Sequence, residues 1–405
     1  MRLDYTPEQE QLRDEIRATM EKVMTPERRA AVSERMEGGP AVRECVRALA
    51  AADLLGVGWP KELGGRGFSA IEQFIFAEEA RRVNAPIPLV TLNTVGPTLM
   101  QFGTEEQKQT FLPAILDGSV EFAIGYSEPE AGSDLASLRT TAVRDGDDYL
   151  INGQKMFTSG AAYADYIWLA ARTDPNTKKH KGISIFIVPT ASPGFSWQPL
   201  HTMPGISTFY TFYDDVRVPA SAVVAGENQG WQLITTQLNF ERAALGNLSA
   251  LEPLFEQTLQ WAISTELDHG RVIDQPWAQL TLARVEAQVA AYKLINLRVN
   301  AAMTKGGGNI GLKMSEASAA KVFGTELTQQ VARQLLEVLD HNGLRRGADA
   351  PLRGALESAY RIAVINTFGG GANEIQRDII AMAGLGMPRA PRDLRATEKS
   401  GGPTQ

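Results

Sequence analysis

Leu12, Ile16, Met20 and Val23 recur every three or four residues, the spacing that brings side chains onto one face of a helix. Just ahead of them, Thr6-Pro7-Glu8-Gln9 offers a capping hydroxyl, a proline at the first helical position and a glutamine able to reach back to the cap. Thr104 to Gln107 repeats the capping pattern, and helical periodicity covers 41–55, 69–83 and 90–102. Residues 1–120 therefore read as an all-α domain.

At Phe122, Ile124 and Tyr126 the period shortens to two, and short apolar runs follow at 138–144, 149–151, 154–159, 165–172, 182–189 and 209–218. Asp145-Gly146 and Asn152-Gly153 carry residues that accept positive φ and are expected as turns. A small antiparallel β domain over 121–225 is the resulting expectation. Long helical patterns return at Trp231, with breaks near 306–308, 342–351 and 369–371, so 226–405 reads as a helical C-terminal domain. The expected fold class is α+β, in the order α, β, α.

A length of 405 residues suits two or three domains of about 150 residues each. With 43% hydrophobic and 21% charged residues the chain is ordinary globular material, which argues against disorder and coiled coil. A net charge of −7 and the lack of a dense basic run make nucleic acid a poor partner. No apolar run approaches the roughly 18 residues of a bilayer span. The charged, helix-patterned start is unlike a signal peptide, so neither membrane insertion nor secretion is expected. Cys45 is the sole cysteine, which fits a reducing, cytoplasmic compartment. His180, His201, His269 and His341 are scattered, so no metal site is expected; the glycine run 369–371 is no G-x-G-x-x-G, and P-loop and G-x-S-x-G motifs are absent.

Three places carry candidate chemistry. At about 100° per residue, Glu241 falls within about 60° of Ile234, Leu238, Leu245 and Leu248, inside an apolar stripe. Its neighbours at three and four residues are Gln237, Leu238, Ala244 and Leu245, none of them a cation. Apolar surroundings raise a carboxylate's proton affinity, which suits a general base; a buried acid satisfied by a distant arginine or by backbone donors fits the spacing equally. Tyr126 to Asp134, a polar, glycine-containing stretch after the first β run, is either an ordinary turn or a loop that aims N–H and hydroxyl groups at a ligand. Phe157 and Ser159, one residue apart at the end of a run, are expected on the same side of a strand, where one stacks and the other donates; a half-buried strand end reads the same way.

I-G-Y-S-E-P-E-A-G-S-D at 124–134 and N-G-Q-K-M-F-T-S at 152–159 are similar to the Y-x-x-T/S-E-P-x-A-G-S-D and N-G-x-K-x-W/F-x-T/S patterns of the acyl-CoA dehydrogenases, at the expected separation. The chain resembles that family over essentially its whole length. The resemblance implies a helical N-terminal domain, a middle β domain and a C-terminal four-helix bundle. It also implies FAD as cofactor and α,β-dehydrogenation of an acyl-CoA thioester, with electrons passing to an electron-transfer flavoprotein. By the same resemblance Tyr126, Ser127, Glu128, Pro129, Ser133, Phe157, Ser159 and Gly370 contact the cofactor. Ser133 lies at its pyrophosphate, Phe157 stands for the usual covering tryptophan, and Ser159 for the threonine near flavin N5.

The family's common base, a glutamate in the last bundle segment, is replaced here by Gly370 in T-F-G-G-G-A-N-E-I-Q-R. A subset of the family carries the base on an earlier helix as the Glu of an E-R pair, and L-N-F-E-R-A-A-L-G supplies Glu241 for that role and Arg242 beside it for the substrate. The resemblance further implies that the Gly370 N–H binds the thioester carbonyl. Two FAD contacts that the family donates across a subunit interface depart from pattern: Gly270 replaces an arginine, with Arg271 adjacent, and Glu337 replaces a glutamine. These features resemble the base-bearing subunit of actinobacterial α2β2 acyl-CoA dehydrogenases that act on steroid side chains, in which a companion subunit completes the FAD site. A flavin monooxygenase or oxidase on the same fold, and a non-catalytic companion subunit, are the alternatives.

Overall fold

The structure, a computed structural model, describes residues 5–33, 38–246, 251–305, 313–347 and 349–389. Among the described residues six α-helices come first: α1 (Pro7–Val23), α2 (Pro26–Ser33), α3 (Pro40–Ala51), α4 (Ala70–Arg82), α5 (Gly96–Phe102) and α6 (Glu105–Leu116). Both expected capping boxes form, at Thr6 with Gln9 and at Thr104 with Gln107, and a third at Ser69 with Glu72 starts α4. The periodic residues of α1 are the ones it buries. α3 stops four residues before the expected 55: Asp53 takes φ 56°, and Leu54 and Leu55 are buried from a turn instead of a helix. Their hydrophobicity carried the pattern beyond the helix that produced it.

The middle of the chain forms β1 (Phe122–Gly125), β2 (Thr141–Asp145), β3 (Asp148–Lys155), β4 (Tyr166–Arg172), β5 (Ile183–Pro189), β6 (Phe195–His201), β7 (Ser207–Pro219) and β8 (Val223–Val224). Their order is β6-β7-β3-β2-β4-β5-β8, with β1 also paired to β4. Most pairings are antiparallel, as expected, but β1 runs parallel to β4 and β2 meets β4 in parallel at Thr141 and Arg172, so the sheet is mixed. Asp145-Gly146 does make a turn, with Gly146 at φ 65°, between β2 and β3. Asn152-Gly153 does not: it lies inside β3, where Gly153 at φ 150° marks a bulge in the pairing with β7.

β4 and β5 are buried on both faces. Trp168, Ala170, Ile183, Ile185 and Ile187 pack into the core shared with the N-terminal helices, while Ile167, Leu169, Ala171, Phe186 and Val188 join a second core with Tyr149, Ile151 and Val216. That double burial explains why these two strands read as solid apolar runs.

The remainder is helical: α7 (Gly230–Gly246), α8 (Leu251–Ser264), a two-strand hairpin of β9 (Glu266–Leu267) and β10 (Gly270–Arg271), α9 (Pro276–Lys305), α10 (Met314–Leu339), α11 (Ala355–Ala363) and α12 (Asn373–Ile379). α10 is central, packing against α7, α8, α9, α11 and α12. Gly324 lets it approach α9 closely, since a Cβ there would sit 2.1 Å from the Tyr292 hydroxyl. The expected breaks at 342–351, residue 348 apart, and 369–371 fall in short turns, whereas residue 348, the break at 306–308 and the polar tail after Arg395 lie outside the described residues. Among the described residues no helix is long and apolar enough to cross a membrane, and no His/Cys/Asp/Glu group is arranged to hold a metal.

Candidate active site

The stretch from Tyr126 to Asp134 leaves β1 as a loop and is held from beneath by an ion pair. Glu128 is buried, and its carboxylate accepts the backbone N–H groups of Arg139 (2.6 Å) and Thr140 (2.9 Å) and the Lys155 ammonium (2.8 Å). Lys155, at the end of β3, has no exposed surface and donates also to the Tyr126 carbonyl (3.0 Å). Burial works against the Glu128 carboxylate, but the charge of Lys155 and the three donors outweigh it and hold its pKa below the usual carboxylate range. For Lys155 burial wins over the attraction of Glu128, and its pKa is pushed down to about 8. Both directions leave the pair ionised at neutral pH.

The Glu128 carboxylate thus serves the inside of the loop and fixes the loop's shape. The outer face carries Pro129, Gly132 and Ser133, all exposed, with open space where a Gly132 Cβ would stand. Ser127 is half-buried, and its carbonyl accepts the Met156 N–H (2.9 Å), which ties this loop to the segment after β3.

Phe157 and Ser159 do not share a strand face, because β3 ends at Lys155. The chain turns there, with Phe157 at φ 59°. A left-handed conformation is costly for an aromatic residue, of order 1–3 kcal/mol. Flanking bonds hold it: Thr158 N–H to the Phe209 carbonyl and Ser159 N–H to the Phe157 carbonyl, both 3.0 Å. The Phe157 side chain is 55% exposed, an aromatic ring turned to the surface instead of the core. Ser159 Oγ lies 3.1 Å from Thr208 Oγ1.

Tyr126 connects this loop to α7. Its hydroxyl accepts from Trp168 Nε1 (3.1 Å) and donates to Gln237 Oε1, which also accepts from Trp168 Nε1 (2.9 Å). An indole N–H can only donate, so the Gln237 oxygen must face Trp168 and the amide nitrogen must point away. That nitrogen is buried with no hydrogen-bond partner among the described residues, on a side chain with no exposed surface. Four residues further along α7 comes Glu241, followed by Arg242; the helix backbone includes both, while their side chains lie outside the described residues.

Gly370 sits in the turn before α12 at φ 65°, and Gly371 beside it has φ 98°. The Gly370 N–H has no acceptor among the described residues. At the other end of the domain Gly270 and Arg271 form the exposed hairpin strand β10. The Arg271 guanidinium forks onto Asp274, with Nε and Nη2 each 3.0 Å from a carboxylate oxygen, and this bonding lowers the Asp274 pKa and raises that of Arg271. Glu337 is exposed on α10.

Gln237, Trp168 and Lys155 were not singled out by sequence reasoning. Gln237 had a signal, a polar residue in the apolar stripe one turn before Glu241, and Lys155 had one as the lysine of the N-G-Q-K motif; Trp168 had none, since its contacts with Tyr126 and Gln237, far away in sequence, define it.

Family models for the acyl-CoA dehydrogenase N-terminal, middle and C-terminal domains match residues 6–119, 123–216 and 228–385. The chain is 51% identical to acyl-CoA dehydrogenase FadE26 of Mycobacterium tuberculosis over 402 residues, covering 97% of this chain and 100% of that protein. It is 48% identical to FadE29 of the same organism over 394 residues, again covering 97% and 100%. The solved ChsE4-ChsE5 complex from Mycobacterium tuberculosis matches with a TM-score of 0.89 at 51% identity, over 96% of this chain and 100% of that one. The Tcur3481-Tcur3483 steroid ACAD matches with a TM-score of 0.89 at 49% identity, over 96% and 100%. With three domain models matched in order and a relative 51% identical along its full length, this chain belongs to the acyl-CoA dehydrogenase family.

Proposed function

We propose that the chain catalyses FAD-dependent α,β-dehydrogenation of an acyl-CoA thioester to the trans-2-enoyl-CoA, with a steroid acid as the acyl group. The observation that carries this is the link from Tyr126 through Gln237 to α7, which joins the loop of the flavin motif to the helix bearing Glu241. The steroid class draws on the solved steroid ACAD, 49% identical to this chain. The domains are read as 1–120, 121–225 and 226–405. Cys45, buried, fits a cytoplasmic setting.

The residues fit a flavin. An exposed aromatic ring held in a costly conformation at Phe157, open space above Gly132 and the Gln237 amide nitrogen, without a partner among the described residues, are what a planar, acceptor-rich group uses. Ser127, Ser133 and Ser159 supply hydroxyl donors, and Glu128 holds their loop in shape. FAD, when bound, supplies the acceptor for the hydride lost from the β carbon. Glu241 removes the α proton, and Arg242 helps hold the substrate. The Gly370 N–H donates to the thioester carbonyl oxygen as negative charge develops there.

A companion subunit completes the FAD site in an α2β2 assembly. Gly270 offers no charge, Arg271 is engaged by Asp274, and the exposed acid Glu337 repels a pyrophosphate. An electron-transfer flavoprotein takes the electrons. The test is the tagged chain purified from its native host and given cholyl-CoA, a steroid acid thioester, with a dye acceptor under anaerobic conditions. The expected result is dye reduction with a product lighter by two hydrogens. Oxygen consumption without dye, or no reaction, contradicts the reading.

A further inference from the structure

Lys321 lies on α10 with no exposed surface. Its ammonium donates to the Thr367 carbonyl (3.3 Å), the Gly371 carbonyl (2.8 Å) and Asn373 Oδ1 (2.8 Å). These acceptors bracket Gly370. Burying an ammonium is expensive unless its donors are met, and here three are met by oxygens of a single turn.

The turn needs such a clamp. Gly370 and Gly371 are consecutive and both left-handed, the conformation in which glycine is freest to move. Asn373 is itself fixed, donating to Thr325 Oγ1 and Glu326 Oε1, both at 3.1 Å. Gln376, fully buried, accepts from Ser318 Oγ at 2.8 Å. α10 thus holds the segment from Thr367 to Gln376 at several points, while the Gly370 N–H between them has no acceptor among the described residues.

We propose that Lys321 is the positioning residue for the thioester carbonyl: it fixes the glycine turn so that the Gly370 N–H points at the substrate oxygen. This rests on the dehydrogenase reading above. A donor that stabilises developing charge must already be in place, and a displacement of about 1 Å costs around 100-fold in rate.

The experiment replaces Lys321→Met in the purified complex and compares two probes. Cholyl-CoA carries the carbonyl; its thioether analogue has a methylene in that position and binds as an inhibitor. For cholyl-CoA, kcat/KM should fall about 100-fold, the size of a lost oxyanion donor. Inhibition by the thioether should change less than about twofold, because that ligand never used the N–H. The carbonyl infrared band of the bound enoyl product should move to higher frequency. Asn373→Ser, which withdraws one acceptor and keeps the lysine, should lower kcat/KM and move the infrared band in the same directions by less, again with little change for the thioether, and serves if Lys321→Met does not fold. An inactive wild type would sink the dehydrogenase reading itself. Wild-type kcat/KM in both variants, or equal weakening of thioester and thioether, would sink the role of Lys321 alone.

Discussion

The Lys155 ammonium lies 2.8 Å from the Glu128 carboxylate, and the lysine has no solvent-exposed surface. The same carboxylate takes the N–H groups of Arg139 and Thr140, so one buried charge pair closes both ends of the loop that carries Ser127 and Ser133. Removing either partner leaves the other charge buried alone. Glu128→Gln and Lys155→Met should each cost about 3–5 kcal/mol, and the double variant less than their sum. Denaturant titration of the four proteins measures this; additive losses would mean that the two groups do not act as a pair.

The pair also sets a pH dependence. The Glu128 pKa is below its ordinary 4.5, so its contribution is complete above about pH 4.5 and lost as pH falls through the folded value. Lys155 is depressed from 10.5 to about 8, so between those values the unfolded chain binds more protons and this group adds stability as pH rises. The stability gap between wild type and Glu128→Gln should therefore shrink in acid. A gap that stays constant below pH 4.5 contradicts the assignment.

Phe157 presents a different balance. Its ring is 55% exposed and its backbone is strained, so Phe157→Gly forfeits little burial and relieves the positive φ. Stability should change by less than about 1 kcal/mol while flavin retention falls. Ser159→Ala should keep the flavin and slow its reduction by substrate roughly tenfold, the worth of one good hydrogen bond. Stopped-flow traces with no change in that step would remove Ser159 from the flavin contacts.

Most of the architecture was legible because capping boxes and helical periodicity are local properties. Thr6 and Thr104 cap the helices that their side chains and backbone predict, and the change to period two falls where β1 begins. Features that depend on packing were not legible. β6 was missed because its exposed Ser196, Trp197 and Gln198 give no apolar run. Asn152-Gly153 reads as a turn from composition, yet pairing with β7 absorbs it as a bulge. At the site, the motif residues could be found in the sequence, but the polarity of Glu128 gave no hint that its partners lie inside the protein. Gln237 and Lys321 acquire meaning only when Trp168 and the glycine turn are brought beside them.

Assembly yields a further expectation. With Arg271 held by Asp274 and Gly270 lacking a side chain, two copies of this chain have weak groups to offer each other's FAD. The chain produced alone should carry little flavin, and the chain purified from its host should appear as an α2β2 particle with one FAD per heterodimer. Light scattering combined with visible absorbance decides: a homotetramer with stoichiometric FAD and full activity contradicts the need for a companion.

The central claim is that this chain carries the base of an acyl-CoA dehydrogenase on α7. Glu241→Gln in the purified complex, mixed anaerobically with cholyl-CoA while the flavin absorbance is followed, tests it most directly. The amide keeps the shape of the side chain and loses the basic oxygen, so the variant should remain folded and yellow while bleaching slows by at least about 100-fold. If it bleaches at more than roughly a tenth of the wild-type rate, Glu241 is not the base.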